Sequence, residues 1–132
     1  MASKLNPYIT FGGNAAEAMA FYASVLGGEV ETSLFRDFGT DIDGVMHANL
    51  VTTLGYTIMA SDAFEVPTGG TDTNVQLSLS GEDAELRDYF AGLSEGGQVI
   101  TPLEKQMWGD EYGSFVDKFG VTWMVNVVAP KE

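Results

Sequence analysis

The one histidine of the chain, His47, stands in the stretch MHANL, two residues before Asn49. Imidazole is the side chain that exchanges protons near neutral pH, so His47 is the candidate general base. No acid lies near it in sequence; Asp62 and Asp117 are the acids that folding could bring to it. The plainer reading is a strand histidine held by hydrogen bonds to its neighbours. Trp108, in MWGDEYG, offers an indole that could stack on an aromatic or sugar-like ligand, or serve as a core or dimer contact. Tyr8 and Tyr112 bring hydroxyls, and Met59 and Met124 bring soft, adaptable surface that suits a pocket wall or a core equally well. The acids of DFGTDIDG (Asp37, Asp41, Asp43) lack the flanking helices and closing glutamate of a calcium loop. They read, with Glu65 and Asp72, as solvated loop residues or part of a lid.

The composition limits which partners these residues can serve. Six basic against nineteen acidic residues give a net charge of −13, a field that repels nucleic-acid backbones and anionic membranes. No apolar run approaches the roughly 20 residues of a membrane span, and MASKLNPY lacks a secretory apolar region. Zero cysteines remove disulfides, thiolate ligands and thiol nucleophiles. The expectation is a cytoplasmic protein, with 1–132 forming a single domain whose partner is a small molecule.

The candidates are positioned by an internal repeat. NPYITFGGNAAEAMAFYA matches NVQLSLSGEDAELRDYFA at a spacing of 68 residues: Asn6 meets Asn74, Ile9 meets Leu77, Phe11 meets Leu79 and Gly13 meets Gly81. MHANLVTTLGYTIMAS matches EYGSFVDKFGVTWMVN at 65, which sets His47 on Tyr112, Asn49 on Ser114 and Met59 on Met124. Each copy reads as strand, helix, then three strands, over 5–62 and 73–128, with 63–72 as a linker marked by Pro67-Thr68-Gly69-Gly70. Alternation puts Ile9 and Phe11 on one strand face and Asn6, Tyr8 and Thr10 on the other. Its counterpart divides Val75, Leu77 and Leu79 from Asn74, Gln76 and Ser78. Asn14 with Glu17, and Ser80 with Asp83, have the spacing of helix N-caps. The helices then present Ala18, Phe21, Tyr22 and Val25, and Leu86, Tyr89, Phe90 and Leu93, before Gly27-Gly28 and Gly96-Gly97 stop them. The helix takes the apolar strand face, which leaves the polar face to line a ligand-sized cleft.

A duplicated βαβββ unit resembles the vicinal-oxygen-chelate superfamily of glyoxalase I, bleomycin-resistance proteins and extradiol dioxygenases. PYITFGGNAAEAMAFY, HANL, IMASD and MWGDEYGSFVDKFGVTWMVNV are similar, more narrowly, to its PhnB-like branch, over Leu5 to Val128. The resemblance implies an α+β fold in which two tandem βαβββ modules form a cleft-containing, barrel-like mixed sheet, and a homodimer. Metal enzymes of the superfamily draw ligands from the first and last strands of each module, positions that fall here on Asn6, Asn74, Met59 and Met124. Amides and thioethers are poor ligands for hard divalent cations, so no metal and no cofactor are expected. Some relatives carry the name of a ubiquinone-pathway methyltransferase, yet Gly12-Gly13 lacks the remaining glycines of a nucleotide-type cradle.

Two functions follow. One is metal-independent binding of a small molecule, by Tyr8, Thr10, Asn49, Met59, Ser61, Asn74, Gln76, Trp108, Tyr112, Met124 and Asn126. The alternative is a glyoxalase- or isomerase-type enzyme with His47 as general base and Tyr or Asn groups holding an oxyanion.

Overall fold

The computed structural model describes residues 5–39, 42–63 and 75–129. The chain divides into two compact units, Met1–Thr68 and Gly69–Glu132, each built as βαβββ. In the first, β1 (Tyr8–Phe11) leads to α1 (Ala15–Leu26) and β2 (Glu29–Leu34). A short 3-10 turn (Phe35–Phe38) precedes β3 (Val45–Val51) and β4 (Thr57–Asp62). The second unit holds β5 (Leu77–Gly81), α2 (Glu85–Ser94), β6 (Gln98–Lys105), β7 (Glu111–Val116) and β8 (Thr122–Val127). The mixed sheet is divided between the units: one has strand order β1-β4-β3-β2, the other β5-β8-β7-β6. In each, the strand before the helix runs parallel to the last strand and all other pairs are antiparallel.

One helix serves each sheet, and strand alternation decides which face it takes. Phe11, Ala48, Leu50, Ile58 and Ala60 are buried on the face packed by α1, whose inner side carries Ala15, Ala18, Met19, Tyr22 and Leu26. In the second unit Leu79, Phe115, Trp123 and Val125 meet Leu86, Tyr89, Phe90 and Leu93 of α2. Phe115 stacks on Trp123 and meets Phe90 edge-on, so Trp123 is core. Burying a large apolar side chain is worth about 1.5–3 kcal/mol, and both helices are held chiefly in this way. Arg87 of α2 also forks onto the Glu111 carboxylate of β7, with Nε 3.2 and 3.0 Å from its two oxygens. In α1 the expected face was drawn one step off: Phe21 and Val25 are half-buried, while Met19 and Leu26 are fully enclosed.

The expected N-caps are replaced by a carboxylate distant in sequence. Asn14 flanks α1 but makes no side-chain cap. Asp62, which ends β4 beside Phe11, accepts instead from the N–H groups of Gly13 (3.0 Å) and Ala15 (2.9 Å). Its second oxygen accepts from Val45 N–H at 2.9 Å, and the residue is buried. A negative charge among the free amides of a helix N-terminus is well placed, and here it also ties down the start of β3. In the second unit α2 starts from Ala84, again without a side-chain cap, and Ser80 belongs to β5.

Three hairpins share one construction. After Thr52, Gln106 and Asp117, a tight turn reaches a glycine of positive φ (Gly55, Gly109, Gly120) before the return strand. In the last, the buried Asp117 accepts from Phe119 and Val121 N–H through one oxygen and from the Trp123 indole N–H (2.9 Å) through the other. Close approach explains Gly97 and adds to the positive φ of Gly28: a Cβ there would stand 2.1 and 2.0 Å from the carbonyl oxygens of Val116 and Val51 respectively.

Strand pairing also revises the repeat. Tyr8 lies across from Met59, and Ser78 across from Met124, so the first strands correspond at a spacing of 70 residues rather than 68. A slip of two preserves which face each side chain takes. Asp62→Ala strands three backbone donors, two of them at a helix start, and is expected to lower unfolding free energy by about 3 kcal/mol. Asn14→Ala should change it by less than about 0.5 kcal/mol. Urea denaturation of both variants checks the pair; equal effects would contradict the assignment of the cap to Asp62.

Candidate functional site

The face of the first sheet away from α1 is polar and half-exposed. One row runs Tyr8, Met59, Asn49, Glu31; a second brings Thr10 beside Ser61, and Ser33 beside His47. Sequence alternation put Tyr8 and Thr10 on this face, where strand pairing adds His47, Asn49, Met59 and Ser61. It missed the pair that stands out chemically, in which the Tyr8 hydroxyl lies 3.2 Å from His47 Nδ1. When Tyr8 O–H donates to Nδ1, the neutral imidazole keeps its own proton on Nε2. The rings are 5.7 Å apart and tilted by 38°, and Tyr8 is 51% exposed. Asp62 does not orient this histidine. Asp62 projects to the helix side of the sheet, and Asp117 is engaged in its own hairpin.

The second sheet presents a different polar face. Met124 lies between Ser78 and Ser114, and Asn126 between Ser80 and Tyr112; Glu104 follows Tyr112 in the same row. Trp108, in the β6–β7 turn, sets its indole 6.4 Å from the Tyr112 ring and is 59% exposed, which removes it from the core of its unit. Asn126 Nδ2 donates to Asp110 (3.0 Å), whose other oxygen accepts from Ala129 N–H (2.9 Å). The Asn126 carbonyl therefore faces away from the carboxylate. Those same two bonds, the Ala129 N–H first, hold the Asp110 carboxyl below its ordinary value of 3.8. Farther along β8, Thr122 is buried, and its hydroxyl has no hydrogen-bond partner among the described residues.

Gln76 is not opposite Met124 as the 68-residue spacing required; it precedes β5 and is exposed. The ladder with β8 puts Ser78 and Ser80 there instead, and the LSLS alternation was the available signal for both. Asn74, with the linker at 64–72, Glu65, Asp72 and Asp41, lies outside the described residues. Of the remaining acidic loop, Asp37 accepts from Leu34 N–H at 3.0 Å and Asp43 pairs with Arg36. Asp110 had no motif to reveal it; it precedes β7, and both its partners lie at the end of β8.

A divalent metal is what the superfamily implies, and the donors do not fit one. Met59 and Met124 have Tyr8 and Ser78 as direct cross-strand neighbours. Among the described residues, no three His, Cys, Asp or Glu side chains come together as a metal site. Among the same residues no helix is long and apolar enough to cross a membrane.

This repeated βαβββ architecture, with a largely polar face opposite the helix on each sheet, defines a glyoxalase-type fold. The chain belongs to the family described as 3-demethylubiquinone-9 3-methyltransferase, the PhnB-like family, whose model matches residues 3–126. Protein YjdN of Escherichia coli (strain K12) is 30% identical, over 94% of this chain and 95% of its own length. The crystal structure of PA1353 from Pseudomonas aeruginosa is 38% identical with a TM-score of 0.81, covering 95% of this chain and 97% of that one. A Bacillus cereus protein described as a putative 3-demethylubiquinone-9 3-methyltransferase, PhnB protein, is 26% identical with a TM-score of 0.76, over 93% and 98%. Structures from the glyoxalase, bleomycin-resistance and dioxygenase superfamily share the fold at 13–18% identity and TM-scores of 0.58–0.66.

Because Asp110 has a depressed pKa in the folded chain, its contribution to stability is complete above the ordinary carboxylate range. That contribution disappears as pH falls through its own lower value. In an NMR titration, the Asp110 carboxyl and the Asn126 side-chain amide should respond together, with a midpoint below 3.8. Separate midpoints, or one at or above that value, would contradict the bond.

Proposed function

We propose that this chain binds a small organic molecule on the polar faces of its sheets without a bound metal, as a cytoplasmic homodimer. The observation that carries the proposal is the second sheet's combination of a half-exposed indole–phenol pair with an amide of fixed orientation. A few placed polar groups among aromatic and thioether surface are the usual make-up of a ligand site. The methyl transfer in the family's description finds less support. The amides of the Gly12-Gly13 turn and of the α1 start that could meet an anionic cofactor already bond Asp62.

The two tryptophans make the test specific, since Trp108 is exposed and Trp123 is 1% exposed. In a thermal-shift screen of metabolites and antibiotics, a ligand at 100 times its dissociation constant adds about 2.7 kcal/mol of stability. Such compounds are expected to quench Trp108 emission and to bind Trp108→Ala about tenfold more weakly. Compounds that stabilise the chain yet ignore Trp108 would remove this face from the site.

A second reading, proton transfer by His47, is favoured by the Tyr8–His47 contact. With Nδ1–H donating to the Tyr8 oxygen, Nε2 is left bare to take a proton from substrate. If a glyoxalase- or isomerase-type turnover is found, His47→Ala should lower it by about 10²–10⁴-fold. Tyr8→Phe should lower it less, with both variants folded by circular dichroism. Undiminished turnover in His47→Ala would leave binding as the function of this face.

A further inference from the structure

A buried hydroxyl without a partner costs about 1–3 kcal/mol, and such groups are few in folded proteins. Thr122 is one: it is 6% exposed, and its Oγ1 has no partner among the described residues. The strand does not need that hydroxyl, because valine has the same shape and the same preference for extended backbone. Nor does the side chain point into the α2 core. Trp123, Val125 and Val127 take that side, so Thr122 shares the opposite face with Met124 and Asn126. Ser114, also buried, lies directly across from Met124.

From Thr122 to Asn126 the strip along β8 spans about 13 Å at the usual rise per residue. At one end is the unpartnered hydroxyl, and in the middle the Met124 thioether, which suits an aromatic ring. At the far end the Asn126 carbonyl faces away from Asp110, beside the rings of Tyr112 and Trp108. Glu104 stands across from Tyr112. With Asp110 behind Asn126 and a chain of net charge −13, this end disfavours anions and suits an N–H donor.

Resting on the binding function proposed above, we infer that this strip takes a planar molecule, neutral or cationic, with hydrogen-bonding groups at both ends. One end bonds the Thr122 hydroxyl, and an N–H at the other donates to the Asn126 carbonyl. The ring system between them lies over Met124 and reaches the Trp108–Tyr112 pair.

Proflavine, a flat acridinium with an amino group at each end, is the probe, and anthraquinone-2,6-disulfonate is its flat anionic counterpart. Fluorescence titration of the full chain is expected to show proflavine binding and at least tenfold weaker disulfonate binding. Thr122→Val and Asn126→Leu should each weaken proflavine about tenfold, while Thr122→Val leaves the urea midpoint of the ligand-free chain unchanged or raised. The inference is overturned if Thr122→Val binds proflavine like the parent chain. It is equally overturned if that variant lowers the ligand-free midpoint, because the hydroxyl would then already have a partner. Failure of proflavine to bind overturns it too; disulfonate binding that quenches Trp108 would then leave the small-molecule function standing with the opposite ligand charge.

Discussion

Each four-stranded sheet has a single helix of its own unit packed against it, and the functional surface follows from that inequality. A sheet has two faces and one helix covers one of them. Alternation along every strand then sorts side chains: Phe11, Ala60 and Leu50 toward α1, and Thr10, Met59 and Asn49 away from it. The same rule sends Trp123 into the second core and Met124 onto the open face, although they are neighbours in the chain. No local preference for a binding surface is required. The polar faces are what remains when the hydrophobic demand of one short helix has been met.

This explains why so much was legible in the sequence. The period of two is insensitive to an error of two, so faces were assigned correctly from a first-strand spacing of 68 although pairing gives 70. The error did matter for identity: it offered Gln76 where the ladder places Ser78. The Ser80–Asp83 spacing separately suggested a helix cap, yet Ser80 is a strand residue facing Asn126. Register is fixed by hydrogen bonds to β8, which a comparison of two first strands does not contain. The Tyr8–His47 pair was hidden for a related reason. Both residues were on the correct face, but their meeting is diagonal across β4, between strands that are not neighbours.

The least legible residues were the acids. In a chain with nineteen of them, most read as solvated charge. Asp62 and Asp110 instead collect N–H groups from segments distant in sequence, and Asp117 gathers three from the hairpin it begins. Sequence patterns detect caps because a cap lies next to its helix. A carboxylate that reaches the α1 start from the end of β4 leaves no such trace, and neither does one that orients an amide across a hairpin.

The two units do not place their buried aspartates alike. The position matching Asp62 in the second unit is Val127, and the position matching Asp117 in the first is Thr52, which uses its hydroxyl to hold the hairpin through Tyr56 N–H. After duplication the copies thus came to be locked at different joints, one where the helix begins and one where the last hairpin turns. A chain assembled from two copies of the first unit would gain a second helix lock, lose the aspartate hairpin lock, and carry two imidazole–phenol faces with no indole. For anyone shuffling or symmetrising this fold, the halves are complementary parts rather than spare ones.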